Sequence, residues 1–181
     1  MSPWHLNYYR LRRKRGILGT RAWIEDREGR VLAQVDGAGG RGSKEIRGHA
    51  ADDETRPLFV VRSQATRDAY DVVDPSTGSD LGSFRRVRSP GKPPMQDWEI
   101  LNDGGRILGR LRESLESDRR YVRHGVSSAE ETFLVDRTPL GQVIVDFTKA
   151  PSEETWEVVL QGFPDRVDRR ILLGVLLIVG R

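Results

Sequence analysis

DRRILLGVLLIVGR, residues 168–181, lies at the end of the sequence. From Ile171 to Gly180 it holds no charged or polar side chain. Such a run is either part of a membrane span or a helix enclosed by protein. Length separates the two. The wholly apolar part is about ten residues, or about 15 Å of helix. A bilayer core is about 30 Å thick and needs about twenty residues. A span is therefore excluded for this stretch. A helix apolar on every face must instead be walled in on every side. FPDRVDRR, residues 163–170, supplies its start. Asp165 suits an N-cap, and Asp168 places a second carboxylate near the helix N-terminus. The expected helix covers about 166–180.

The wall is written upstream as a repeated unit. TRAWIEDREGRVLAQVD (20–36), AYDVVDPSTGSDLGSFRRV (69–87), DWEILNDGGRILGRLRE (97–113) and TFLVDRTPLGQVIVDF (132–147) share one pattern. Each is an apolar run, a break rich in Asp, Asn, Gly or Pro, and a second apolar run. That is a β-hairpin signature. Asp26, Asp74, Asp103 and Asp136 sit in the breaks, where carboxylates hydrogen-bond the turn backbone. The flanking runs alternate with period two, as half-buried strands do. Ala22 and Ile24 share a face, as do Val31, Ala33 and Val35, and Trp98 and Ile100. Leu6–Arg13, Leu58–Gln64 and Trp156–Leu160 read as further strands, and Lys44–Arg47 as a weaker one. The total is ten to twelve strands. Tight turns cannot join parallel strands, so the sheet is antiparallel. The expected fold is all-β with one helix: a closed antiparallel barrel of about twelve strands around a buried C-terminal helix. The whole chain, 1–181, forms one domain, with a mobile glycine-rich loop at about 37–56. Residues 113–131 show no clear period.

Asp-containing hairpins such as YDVVDPSTGSDLGSFRR and WEILNDGGRILGRLRE, followed by DRRILLGVLLIVG, resemble the tubby C-terminal-like superfamily. In detail they are most similar to its LURP-one-related and phospholipid-scramblase-like branch. The resemblance spans nearly the whole chain and rests on hairpin rhythm and helix. It implies a twelve-stranded barrel around a central C-terminal helix, and a membrane-related, lipid-linked function. The cysteine cluster and the EF-hand spacing of scramblases are missing, so calcium-driven scrambling is not implied.

Composition narrows the function further. The chain has no cysteine, which removes disulfides, thiol catalysis and thiolate metal sites. It also fits a cytoplasmic location. No apolar run follows the charges of MSPWHLNYYRLRRKRG, so no secretory signal is expected. Thirty basic residues against 27 acidic ones leave a net charge of only +3, too balanced for a dedicated nucleic-acid binder. GAGGRG, residues 37–42, formally matches a dinucleotide fingerprint, but SKEIRGHAADDE after it makes a poor helix. His5, His49 and His124 are scattered, with no metal-like spacing. No G-x-S-x-G elbow appears. No enzyme activity, cofactor or metal is expected.

Two basic runs are the remaining signal. Arg10, Arg12, Arg13 and Lys14 follow Tyr8 and Tyr9, and Arg85, Arg86 and Arg88 follow Phe84. Basic clusters beside aromatics bind anionic lipid, at about 1 kcal/mol per residue near the surface. Alternation puts Arg10, Arg12 and Lys14 on one strand face, with Leu11 and Arg13 on the other. The expectation is a monomeric, non-enzymatic module, peripheral at the membrane, binding phospholipid or phosphoinositide headgroups through these seven residues. A regulatory protein-interaction scaffold is the alternative, and nucleic-acid binding comes third.

Overall fold

The computed structural model describes residues 3–16, 19–37, 45–65, 68–88, 96–112, 134–135, 138–139, 142–149, 153–161 and 167–179. A 3-10 turn, Pro3–His5, comes first. The strands follow in order: β1 Tyr8–Gly16, β2 Gly19–Glu25, β3 Val31–Asp36, β4 Glu45–Ala50, β5 Asp53–Ser63, β6 Ala69–Asp74 and β7 Ser79–Arg88. Next are β8 Gln96–Asn102, β9 Ile107–Arg112, β10 Leu134–Val135, β11 Thr138–Pro139, β12 Gln142–Lys149 and β13 Glu153–Gln161. One helix, α1 Arg169–Val179, ends the fold.

Among the described residues eleven strands form one sheet in the order β12-β13-β1-β2-β3-β4-β5-β6-β7-β8-β9, and β10 pairs with β11. Every pairing is antiparallel. The first strand is therefore an inner strand, because β13 returns to its free side. Among the described residues no pairing joins the two edges, β9 and β12.

Period two explains the strands. Leu11, Ala22, Ile24, Ala33, Val35, Phe59, Val61, Val72, Phe84, Trp98, Ile100, Trp156, Val158 and Leu160 are buried in one cluster with α1. The helix is its centre. Residues 171–178 are all buried, as a helix without a polar stripe requires. At Gly174 an added Cβ would sit 3.1 Å from Val61 and 3.3 Å from Phe84, so glycine lets the helix lie close to the wall.

Four expectations need correction. The N-cap is Asp168: its carboxylate accepts the Arg170 N–H at 2.9 Å, and α1 starts at Arg169. Asp165 lies outside the described residues. The loop placed at about 37–56 holds β4 and the start of β5. Ile46, Gly48 and Ala50 are its buried alternate residues, and two of them are too small to look apolar in sequence. Gly48 is required there, because the Phe59 ring occupies the space of any Cβ. The fourth hairpin, 132–147, is instead β10, β11 and the separate strand β12. Val31 is exposed, because a bulge between Ile24 and Glu25 shifts the β2–β3 register beside it.

The turn carboxylates behave as expected at two sites. Asp26 accepts the Arg30 N–H at 2.9 Å, and Asp74 accepts the Ser76 N–H at 2.9 Å. In the third turn the bridging side chain is Asn102, which accepts the Arg106 N–H at 2.8 Å, while Asp103 reaches only Gly104. Asp136 lies outside the described residues, as does 113–131. All of GAGGRG but Gly37 lies outside the described residues, and the next described element is the strand β4.

Candidate functional site

β1 lies between β13 and β2, and its register decides what the first basic run meets. Arg10 stands opposite Glu157 and bonds it at 3.0 Å. Arg12 reaches Glu153 at 2.8 Å and Glu25 at 3.0 Å. Its hydrogen bond holds the Glu153 carboxyl below the usual carboxylate range. Lys14 is exposed and faces Glu153 across the ladder.

Arg13 does not belong to the surface. It is 2% exposed, and its Nη2 donates to the Leu177 carbonyl at 2.9 Å, at the end of α1. Its Nη1 lies 3.5 Å from Glu154, and its guanidinium sits 5.0 Å from the centre of the Trp156 ring. It shares the inner face with Leu11 and caps the C-terminal end of the buried helix.

In the second run Arg85 bonds Glu99 at 2.8 Å, and Arg86 lies 3.8 Å from Asp68. Arg88 ends β7, and its side chain is outside the described residues. The two runs do not converge. Five strands, β2 to β6, separate β1 from β7, or roughly 29 Å along the sheet at about 4.8 Å per step. Every described arginine of both runs has a carboxylate partner.

A different cluster forms on the outer wall of β2, β3 and β4. Trp23 pairs with Gln34, and Gln34 with His49, in one row across the three strands. Their chain neighbours Ala22, Ile24, Ala33, Val35, Gly48 and Ala50 are buried, so all three side chains point outward. With Arg21, Asp36 and Glu54 they line a cleft of about 200 Å³. Asp36 is 80% exposed at the rim, and its carboxylate lies 3.4 Å from His49 Nε2. The buried Nδ1 of His49 has no hydrogen-bond partner among the described residues. Two irregularities in the β4–β5 ladder flank His49 and set its direction.

The lining of the cleft combines hydrogen-bond donors and acceptors with the side chains of Trp23 and His49. Among the described residues no three His, Asp or Glu side chains converge to hold a metal. Sequence reasoning missed this cluster because it placed His49 in a loop. The alternation of Ile46, Gly48 and Ala50 with Arg47 and His49 was the available signal.

A solved structure of a protein from Arabidopsis thaliana, of the LURP-one-related family with a tubby-like fold, is similar to this chain. The TM-score is 0.51 at 10% identity, over 100% of this chain and 97% of that one. At that identity the likeness shows the fold alone. No protein-family model matches the chain, and no curated protein matches it.

Proposed function

We propose that this chain is a remote member of the tubby C-terminal-like superfamily that works as a non-enzymatic binding module from its outer wall. Its sheet closes into a barrel around α1, between β9 and β12. The fold likeness supports the first part, and a helix buried on every side supports closure.

The observation that carries the function is the filled interior. Residues 171–178 occupy the space where a barrel of this size holds a ligand. Recognition is left to the outer wall, where the cleft at Trp23, Gln34 and His49 is built on three paired strands. A partner-binding, regulatory role therefore stands first. Binding of anionic phospholipid stands second, because it needs surplus positive charge. The described arginines of both basic runs already face carboxylates.

Trp23 offers a direct test. Trp4, Trp98 and Trp156 are 5%, 4% and 3% exposed, whereas Trp23 is half-buried and lines the cleft. A soluble quencher therefore reports mainly on Trp23. Basic and acidic peptides, nucleotides, neutral sugars and anionic vesicles are titrated in separate arms. The expected result is saturable protection of Trp23 by one class, with the ligand recovered chemically unchanged. Protection by none, or a chemically altered ligand, defeats the reading.

A further inference from the structure

We infer that the outer cleft of β2–β4 is a site for a neutral, polyhydroxylated ring, that is, a single sugar residue. This rests on the binding-module reading and names its ligand class.

Charge excludes the simpler ligands. Asp36 and Glu54 line the cleft, and exposed Asp52 and Asp53 follow β4 immediately before Glu54. A phosphate or carboxylate in the cleft would meet repulsion from Asp36 and Glu54. A bare metal cation finds no three His, Asp or Glu side chains converging there among the described residues. A ligand without negative charge that satisfies donors and acceptors together fits both limits.

Hydroxyl groups do this, because each donates one hydrogen bond and accepts others. Arg21 donates only, Asp36 and Glu54 accept only, and Gln34 does both. Neighbouring hydroxyls on one ring can meet all of them. Bonds to the charged members are the stronger ones. The indole of Trp23 supplies the other half of the recognition. A pyranose has a face lined by C–H groups, which packs on an aromatic ring.

Size and stiffness agree. The cleft holds about 200 Å³, below the roughly 300–1,000 Å³ of drug-sized sites. Trp23 and His49 stand two strand spacings apart, about 10 Å between their backbones, with Gln34 between them. The row stands on hydrogen-bonded strands, the kind of support that keeps a site in shape before its ligand arrives.

Glucose, galactose and mannose are titrated beside glucosamine and a phosphorylated glucose, with quencher protection of Trp23 and calorimetry as readouts. At least one neutral sugar is expected to bind saturably, with the phosphorylated glucose weaker. Glu54→Gln and Gln34→Ala should each weaken that binding by about tenfold, the loss of one good hydrogen bond. Their unchanged melting temperatures would show that the fold is intact. Trp23→Ala should abolish binding, read by calorimetry. If no neutral sugar binds but a charged class protects Trp23, the sugar inference falls and the binding module stands. If nothing protects Trp23, both fall. Sugar binding indifferent to Glu54→Gln and Gln34→Ala also overturns the inference, since the ligand then sits elsewhere.

Discussion

At the scale of single residues, neighbours in one basic run have opposite fates. Arg12 is 40% exposed at its side chain and shared between two glutamates, whereas Arg13 is 3% exposed and holds the end of α1. Alternation with Leu11 already placed Arg13 on the inner face, but a run of basic residues reads as surface, and that reading prevailed. Arg13→Ala removes the 3.5 Å contact to the buried Glu154 carboxylate and the hydrogen bond to the Leu177 carbonyl. Urea unfolding should show a loss of about 3–5 kcal/mol. The double variant Arg13→Met/Glu154→Leu should recover most of it, because an apolar pair needs no compensation. Asp74 carries a pH-dependent contribution. Burial raises its pKa, but hydrogen bonds from Ser76 and Arg170 outweigh this and hold it below the usual carboxylate range. Its ionised form is therefore favoured by folding. That stabilisation is present above the unfolded pKa and is lost as pH falls through the lowered folded value. Asp74→Asn should be less stable than the parent near pH 7, and the gap should close below about pH 4. Chemical denaturation over that range measures it.

At the scale of elements, α1 was legible and its ends were not. Ten apolar residues in a row announce an enclosed helix, while the cap depends on where the backbone turns. Two arginines follow the cap, at the end where the helix dipole disfavours positive charge. Tertiary bonds explain them. Arg169 Nε donates to the Leu6 carbonyl at 3.0 Å, and Arg170 reaches Leu58 O at 2.9 Å and Asp74 at 2.8 Å. These tie the start of α1 to the N-terminal segment and to two strands. Leu176 is 1% exposed. Leu176→Asp would bury an unpaired carboxylate, so no cooperative melt should be seen by circular dichroism. Leu176→Ala should fold but lose about 2–5 kcal/mol. At Gly174 the wall has little room. Gly174→Val should cost about 1–3 kcal/mol by overpacking against Val61, Phe84 and Val72. Strand β4 was legible only in its first half, where Lys44–Arg47 reads as a weak strand, because Gly48 and Ala50 bury small faces and the acidic turn beyond them resembles a loop.

At the scale of the molecule, the ordering of strands matters most. β1 joins β2 on one side and β13 on the other. The Arg10–Glu157 bond spans 147 positions. Closing so long a loop precedes any gain from the contacts it makes, so folding should be slow. Stopped-flow refolding is expected on the millisecond-to-second scale typical of non-local β folds. Removing residues 1–16 should abolish cooperative unfolding, since β12 and β13 then lose their attachment to β2. The same ordering neutralises the basic run, because β13 brings Glu153 and Glu157 alongside it. Anionic vesicles at physiological salt should therefore leave most of the protein in the supernatant on co-sedimentation.

The sequence by itself determined the enclosed helix, the antiparallel hairpins and the glycine that lets helix and wall approach. These are local matters of apolar period, turn chemistry and length, each readable within about twenty residues. Only the tertiary structure decided which charges are free and where polar groups gather. Those depend on register between strands far apart in the chain, and register is a property of pairs. That is why the arginines of β1 were visible at once and their glutamates were not. It is also why a row of Trp23, Gln34 and His49, taken one from each of three strands, exists only once the sheet has formed.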